Sequence, residues 1–162
     1  MSMYKKAFLG IFLLGLALSG CSLLYAPSPK IIADTPASGL RTIELMVGDS
    51  ALTVEVAETP QARAQGLSDR DSLAENTGML FVFERADRYG FWMNRMRFGL
   101  DFLWLKDGAV VEVTANVPPP TALAPVPVSL SPAQAVNAII EVPAGWAARQ
   151  GVEIGDEVRG LP

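Results

Sequence analysis

Histidine is absent from the 162 residues, and cysteine occurs once, at Cys21. That excludes Ser-His-Asp and Cys-His nucleophile arrangements, histidine metal ligands, and the usual general base near neutral pH. It also excludes an intramolecular disulfide, a cysteine zinc site and a CxxC redox pair. Any chemistry therefore falls to carboxylates, arginines and aromatics. Asp101 stands out because it lies in the apolar run Leu100–Leu105. A carboxylate there must find a partner or its pKa rises. As a functional group it would bind ligand or move protons. As a structural one it would pair with Arg70, Arg95 or Arg97, or accept from backbone N–H groups. Arg63 and Arg70 could grip a carboxylate, phosphate or sugar acid with their guanidinium forks. Structurally they could cap carbonyls or pair with Asp69, Asp71 or Glu84.

Phe91, Trp92 and Trp104 could form a stacking platform for a sugar, or supply core area; Trp146 is equally two-sided. Glu58, Glu84 and Glu141 could join Asp101 as the paired carboxylates of a glycosidase-like site, although the sequence does not set their separation. Arg63, Arg70, Trp92 and Asp101 are the candidate ligand-binding residues. No Walker loop, GxGxxG or GxSxG is present, so no cofactor or metal is expected.

The N-terminus indicates an address. Lys5 and Lys6 precede an uncharged apolar run, Ala7–Leu18. At about a dozen residues it is too short to span a bilayer and suits a signal-peptide core. Leu18-Ser19-Gly20-Cys21 then has the form of a lipoprotein cleavage site, where the thiol becomes the thioether to a diacylglyceryl group. The chain thus divides into a signal peptide (1–20), a lipidated cysteine with a proline-rich tether (21–40), and one domain (41–162). The expected location is the cell envelope, on the outer membrane facing the periplasm if the host is diderm. Two or three acyl chains make such anchoring stable.

Of 13 basic residues, removing Lys5 and Lys6 leaves 11 against 17 acidic, a mature charge of −6. An acidic chain with interleaved arginines is a poor nucleic-acid binder.

Stepping along the domain, Arg41–Val47 and Ala51–Ala57 alternate as a half-buried hairpin around Gly48-Asp49, a type II′ turn setting Leu45 against Leu52. Thr59-Pro60 caps and opens a short helix that Gly66 ends. Ser68–Asn76 is a polar loop. Met79–Phe83 and Gly90–Met93 are short strands, and Leu100–Lys106 reads as a strand covered on both faces. Asp107-Gly108 is a type I′ signal pairing that strand with Ala109–Thr114, with Trp104 opposite Val111 and Asp101 opposite Thr114. Val113–Ile140 carries no charge and six prolines. It reads as an extended apolar flap, closing one end of a barrel or docking a partner. Ala138–Val142 is a strand, Pro143–Gln150 a short helix ended by Gly151, and Gly155-Asp156 turns into a last strand near Val158. The fold class is α+β, mainly antiparallel β, a small barrel or sandwich with two short helices.

Several motifs fall in a specific order: Glu55-Val56-Ala57; Arg63 with Gly66-Leu67 and Arg70; Gly78-Met79-Leu80-Phe81-Val82-Phe83; Phe91-Trp92-Met93; Leu100-Asp101; Ile140-Glu141-Val142 with Ala144-Gly145; and Gly155-Asp156. In these the chain resembles the DUF192 family, over Val54–Val113 and Ile139–Val158. The resemblance implies a compact mixed-β domain, often behind a signal peptide or lipobox, and brings no assigned activity. Two positions depart from the pattern. Asn94 stands where the family often has lysine, and Gly99 where it usually has proline, so a lysine-based role at 94 does not carry over.

The function favoured on these grounds is a non-enzymatic binding or accessory module at the envelope. The alternatives are a carboxylate/arginine hydrolase or lyase acting on an envelope glycan, and a structural partner in an envelope protein complex. A pocket holding Arg70 and Asp101 together would point to a small ligand, and a flat apolar flap to a protein.

Overall fold

The computed structural model describes residues 39–162. The expected signal peptide, Cys21 and the tether as far as residue 38 lie outside them. The first hairpin joins β1 (Thr42–Val47) and β2 (Ser50–Ala57) in the expected register, Ile43 against Val54 and Leu45 against Leu52. Gly48 supplies the turn's positive φ of 55°. Helix α1 (Pro60–Gln65) follows, with Thr59 accepting from the Ala62 N–H and proline at the start. Then come β3 (Thr77–Asp87), β4 (Phe91–Trp92), β5 (Leu100–Lys106) and β6 (Ala109–Val117). The chain ends with β7 (Ser129–Leu130), β8 (Val136–Pro143), α2 (Trp146–Gln150) and β9 (Val158–Arg159).

Seven strands form one sheet in the order β6-β5-β8-β3-β2-β1-β9, and β4 pairs with β7 separately. All pairings in the large sheet are antiparallel except β2 with β3, which α1 and the polar loop connect in parallel. The sheet curls until its edges meet. Val158 N donates to Gly108 O at 2.7 Å and Val110 N to Asp156 O at 2.9 Å, on either side of an Ala109–Glu157 bridge. Barrel closure thus falls to the C-terminal segment and not to the proline-rich flap. Most of that flap stands in solvent, with Leu123 99% exposed.

Strand alternation sorts the apolar residues into two cores. Leu52, Val54, Leu80, Leu103, Leu105, Ile140 and Val142 fill the barrel with Trp146. Met79, Phe81, Phe102, Trp104 and Ile139 point outward and are covered by Leu67, Met93 and Met96. Strand β5 is apolar throughout because it feeds both cores.

The β5–β6 register differs from the sequence expectation. The turn is type I′, with positive φ at Asp107 and Gly108. Trp104, however, faces Glu112 and not Val111, and Phe102, not Asp101, faces Thr114. A bulge places one extra residue, Val111, on β6. A second shift lies between Leu100 and Phe102, beside Asn116, whose φ is 56°.

Candidate functional site

The second core is roofed by α1, the turn after it and β4, and polar groups gather at that roof. The row across the central strands runs Glu55, Met79, Glu141, Phe102, all on the outer face. Two carboxylates thus flank a methionine beneath the loop that carries Arg70.

Arg70 meets Glu55 with a bidentate fork, Nη1 to Oε1 at 2.5 Å and Nη2 to Oε2 at 2.8 Å. Their side chains are 25% and 11% exposed. The hydrogen bond to Glu55 raises the arginine pKa, burial opposes it, and the charges of Glu55 and Glu141 add to the rise. Glu141 has no such fork. It is 5% exposed, and among the described residues no ion pair is made to it. Burial pushes its pKa up to about 8, and the charge of Arg70 only partly offsets this. Its carboxyl is therefore mostly protonated at neutral pH.

Glu141 lines a cavity of about 30 Å³ with Arg63, Leu67, Phe81, Phe91, Trp92 and Met96. At its mouth Trp92 is 61% exposed. Phe91 points inward and meets Phe81 edge-on at 4.9 Å and Trp104 at 5.8 Å. The alternation of a two-residue strand thus buries one aromatic and offers the next to solvent. Arg63 binds Glu58 O at 2.7 Å and Val82 O at 3.0 Å, and stands 5.2 Å from the Phe83 ring centroid. It caps carbonyls, as its structural reading has it, while also lining the cavity.

Asp101 lies elsewhere. It is 0% exposed and projects with Leu103 and Leu105 to the opposite face of β5. Its Oδ1 accepts from Asn116 N at 2.7 Å and Gly145 N at 3.0 Å, and its Oδ2 from Ala147 N at 3.0 Å. It satisfies N–H groups left over by the second β6 bulge and the start of α2, and no arginine pairs with it. Arg95 pairs with Asp69 and Arg97 with Asp71 instead. The pairing of Arg70 with Asp101 in one pocket is not found. Arg70 lines a separate groove with Leu40, Ala62 and Asp69. Trp104 is core, its Nε1 held by Thr114 Oγ1 at 2.9 Å, and so is Trp146, held by Asn76 Oδ1 at 3.0 Å. Of the candidate residues, the structure brings Arg63 and Trp92 together. Glu141, which the sequence offers only as one carboxylate among several, forms the cavity floor.

Over residues 43–160 the chain matches the model of DUF192, an uncharacterized ACR. The chain belongs to the DUF192 family. Two crystal structures resemble this DUF192 domain. One, a protein of unknown function from Novosphingobium aromaticivorans DSM 12444, is 30% identical with a TM-score of 0.69, over 76% of this chain and 89% of that one. The other, from Sinorhizobium meliloti 1021 and described as a candidate transcription regulator, is 30% identical with a TM-score of 0.64, over 73% and 91%. No protein of curated function matches significantly. The family and fold are thus secure, and the family carries no assigned activity.

Proposed function

We propose that this protein is a non-enzymatic binding module, held at the cell envelope by lipid on Cys21, that takes a small ligand between Trp92 and Glu141. One observation carries the reading: a largely exposed tryptophan, Trp92, lines a small cavity together with the mostly buried carboxyl of Glu141. An exposed aromatic beside a cavity that presents a carboxyl combines the apolar and polar contacts a small ligand needs. A hydrolase of the paired-carboxylate kind is less well supported. Such a site needs two carboxyls facing one substrate. Here Glu55 is committed to Arg70, and Asp101 points into the other core.

The description of the Sinorhizobium meliloti relative raises nucleic-acid binding. The chain's charge weighs against it, since binding the phosphate backbone needs unneutralised cations. Four exposed arginines, Arg41, Arg95, Arg97 and Arg149, are instead paired with Glu58, Asp69, Asp71 and Glu75. A protein-docking role for the flap keeps some support from exposed Leu123 and Val126. Removing residues 118–127 without changing co-purified proteins would end it.

Two tests address the main reading. In cells, Cys21→Ser should move the protein out of the membrane fraction, and retention there contradicts the anchor. A thermal-shift panel of sugars, sugar acids, phosphates and nucleotides should yield a stabilising ligand. One present at about a hundred times its Kd adds roughly 2.7 kcal/mol. Trp92→Ala should abolish that shift while altering the unliganded stability by less than about 0.5 kcal/mol.

A further inference from the structure

We infer that the ligand is a sugar ring carrying no positive charge, stacked on Trp92 with one hydroxyl hydrogen-bonded to the Glu141 carboxyl. This rests on the binding reading above and names its ligand class.

Three features of the site converge on it. The first is shape. Trp92, with Gly90 and Phe91, separates two open grooves of about 450 and 240 Å³. Ser129, which faces Trp92 across the β4–β7 pair, and Ser131 line the larger, so hydroxyls stand beside the indole on that side. A flat amphipathic ring beside an exposed aromatic and neighbouring serine hydroxyls gains apolar contact on its face and hydrogen bonds at its edge. The adjoining cavity, at about 30 Å³, is far smaller than either groove, so it admits a substituent of the ring and not the ring itself.

The second feature is the charge around Glu141. Strand β3 presents Met79 and β5 presents Phe102 on either side of it, neither titratable. From the roof, α1 contributes Arg63 and the following loop Arg70, with Glu55 of β2 neutralising Arg70. The residual charge beside a protonated Glu141 is the positive Arg63, which repels an ammonium group. The third is hydrogen-bond chemistry. A protonated carboxyl offers one O–H donor and one C=O acceptor, and a sugar hydroxyl offers the same pair in reverse.

Tryptophan fluorescence of the full-length protein in detergent tests this, with N-acetylglucosamine, glucosamine and glucuronic acid as neutral, cationic and anionic versions of a sugar ring. Trp104 and Trp146 are fully buried, so Trp92 dominates the response. The neutral and anionic sugars should each produce a saturable change at pH 7, about tenfold tighter than the cationic glucosamine. Glu141→Gln, whose amide also donates and accepts, should hold affinity within about threefold, and Glu141→Leu should lose it. With Glu141 titrating at about 8, wild-type affinity should fall about thirtyfold from pH 7 to pH 9.5, and that of Glu141→Gln should not. Preference for glucosamine at pH 7, with binding abolished in Glu141→Gln, would overturn the inference in favour of an ionised, cation-binding carboxylate. If no sugar responds but another panel compound binds through Trp92, the ligand class is wrong and the binding module stands. If nothing perturbs Trp92 or shifts the melting temperature, both readings fall.

Discussion

Replacing Glu141 by glutamine should stabilise the protein increasingly as pH rises. In the unfolded chain this carboxyl has the ordinary value of 4.5, while burial in the folded state moves it to about 8. Between those values the folded protein holds a proton that the unfolded chain has released. Raising the pH therefore favours unfolding, by about 1.4 kcal/mol per pH unit for one proton. The loss begins near pH 4.5, continues to about pH 8 and then levels off. At pH 7 it amounts to roughly 3 kcal/mol, and at pH 5 to less than about 1 kcal/mol. Glutamine carries the same shape without the proton, so the advantage of Glu141→Gln over wild type should grow by roughly 2 kcal/mol between pH 5 and pH 7. The absence of histidine makes this window unusually clean, because no other side chain ordinarily titrates there. Urea denaturation of both proteins at pH 5, 6, 7 and 8 measures it. Parallel stability curves would refute the reasoning and mean that Arg70 keeps Glu141 ionised at little expense.

Other side chains give sharper structural tests. Asp101→Asn should cost roughly 3 kcal/mol in urea denaturation, since one amide oxygen cannot serve three N–H donors and its NH₂ would face one of them. Its effect on binding should be small, because Asp101 faces the other core. Arg70→Met should cost roughly 3 kcal/mol by removing the bidentate cation from the largely buried Glu55 carboxylate, and Glu55→Gln in the same chain should recover part of that loss. Gly78→Ala would set a Cβ 2.5 Å from the Glu141 carbonyl oxygen. The strands β3 and β8 would have to part, and thermal unfolding should show a loss of about 2 kcal/mol.

Asp101 and Glu141 explain why the site was harder to read from sequence than the fold. Each is a carboxylate inside an apolar strand, and that signal marks both as buried. Their fates differ because of chain segments far away in sequence. Three backbone N–H groups from β6 and the start of α2 converge on Asp101, while Arg70, whose charge acts on Glu141, forks onto Glu55 instead. Local patterns fared better. Gly48-Asp49 and Asp107-Gly108 specify their turns through backbone conformation alone, and the unbroken apolar run of β5 announces two covered faces. The bulge at Val111 left no trace, because the residues around it are β-branched and apolar in either register. Nor does any local signal require β2 and β3 to run parallel, or the segment around Asp156 to close the barrel.

The most direct test is a crystal structure of the protein with the first ligand found to stabilise it. The account predicts that ligand against the Trp92 indole, with a polar atom within hydrogen-bonding distance of a Glu141 carboxyl oxygen. A ligand seated in the Arg70 groove or on the flap, with Trp92 and Glu141 untouched, would contradict it.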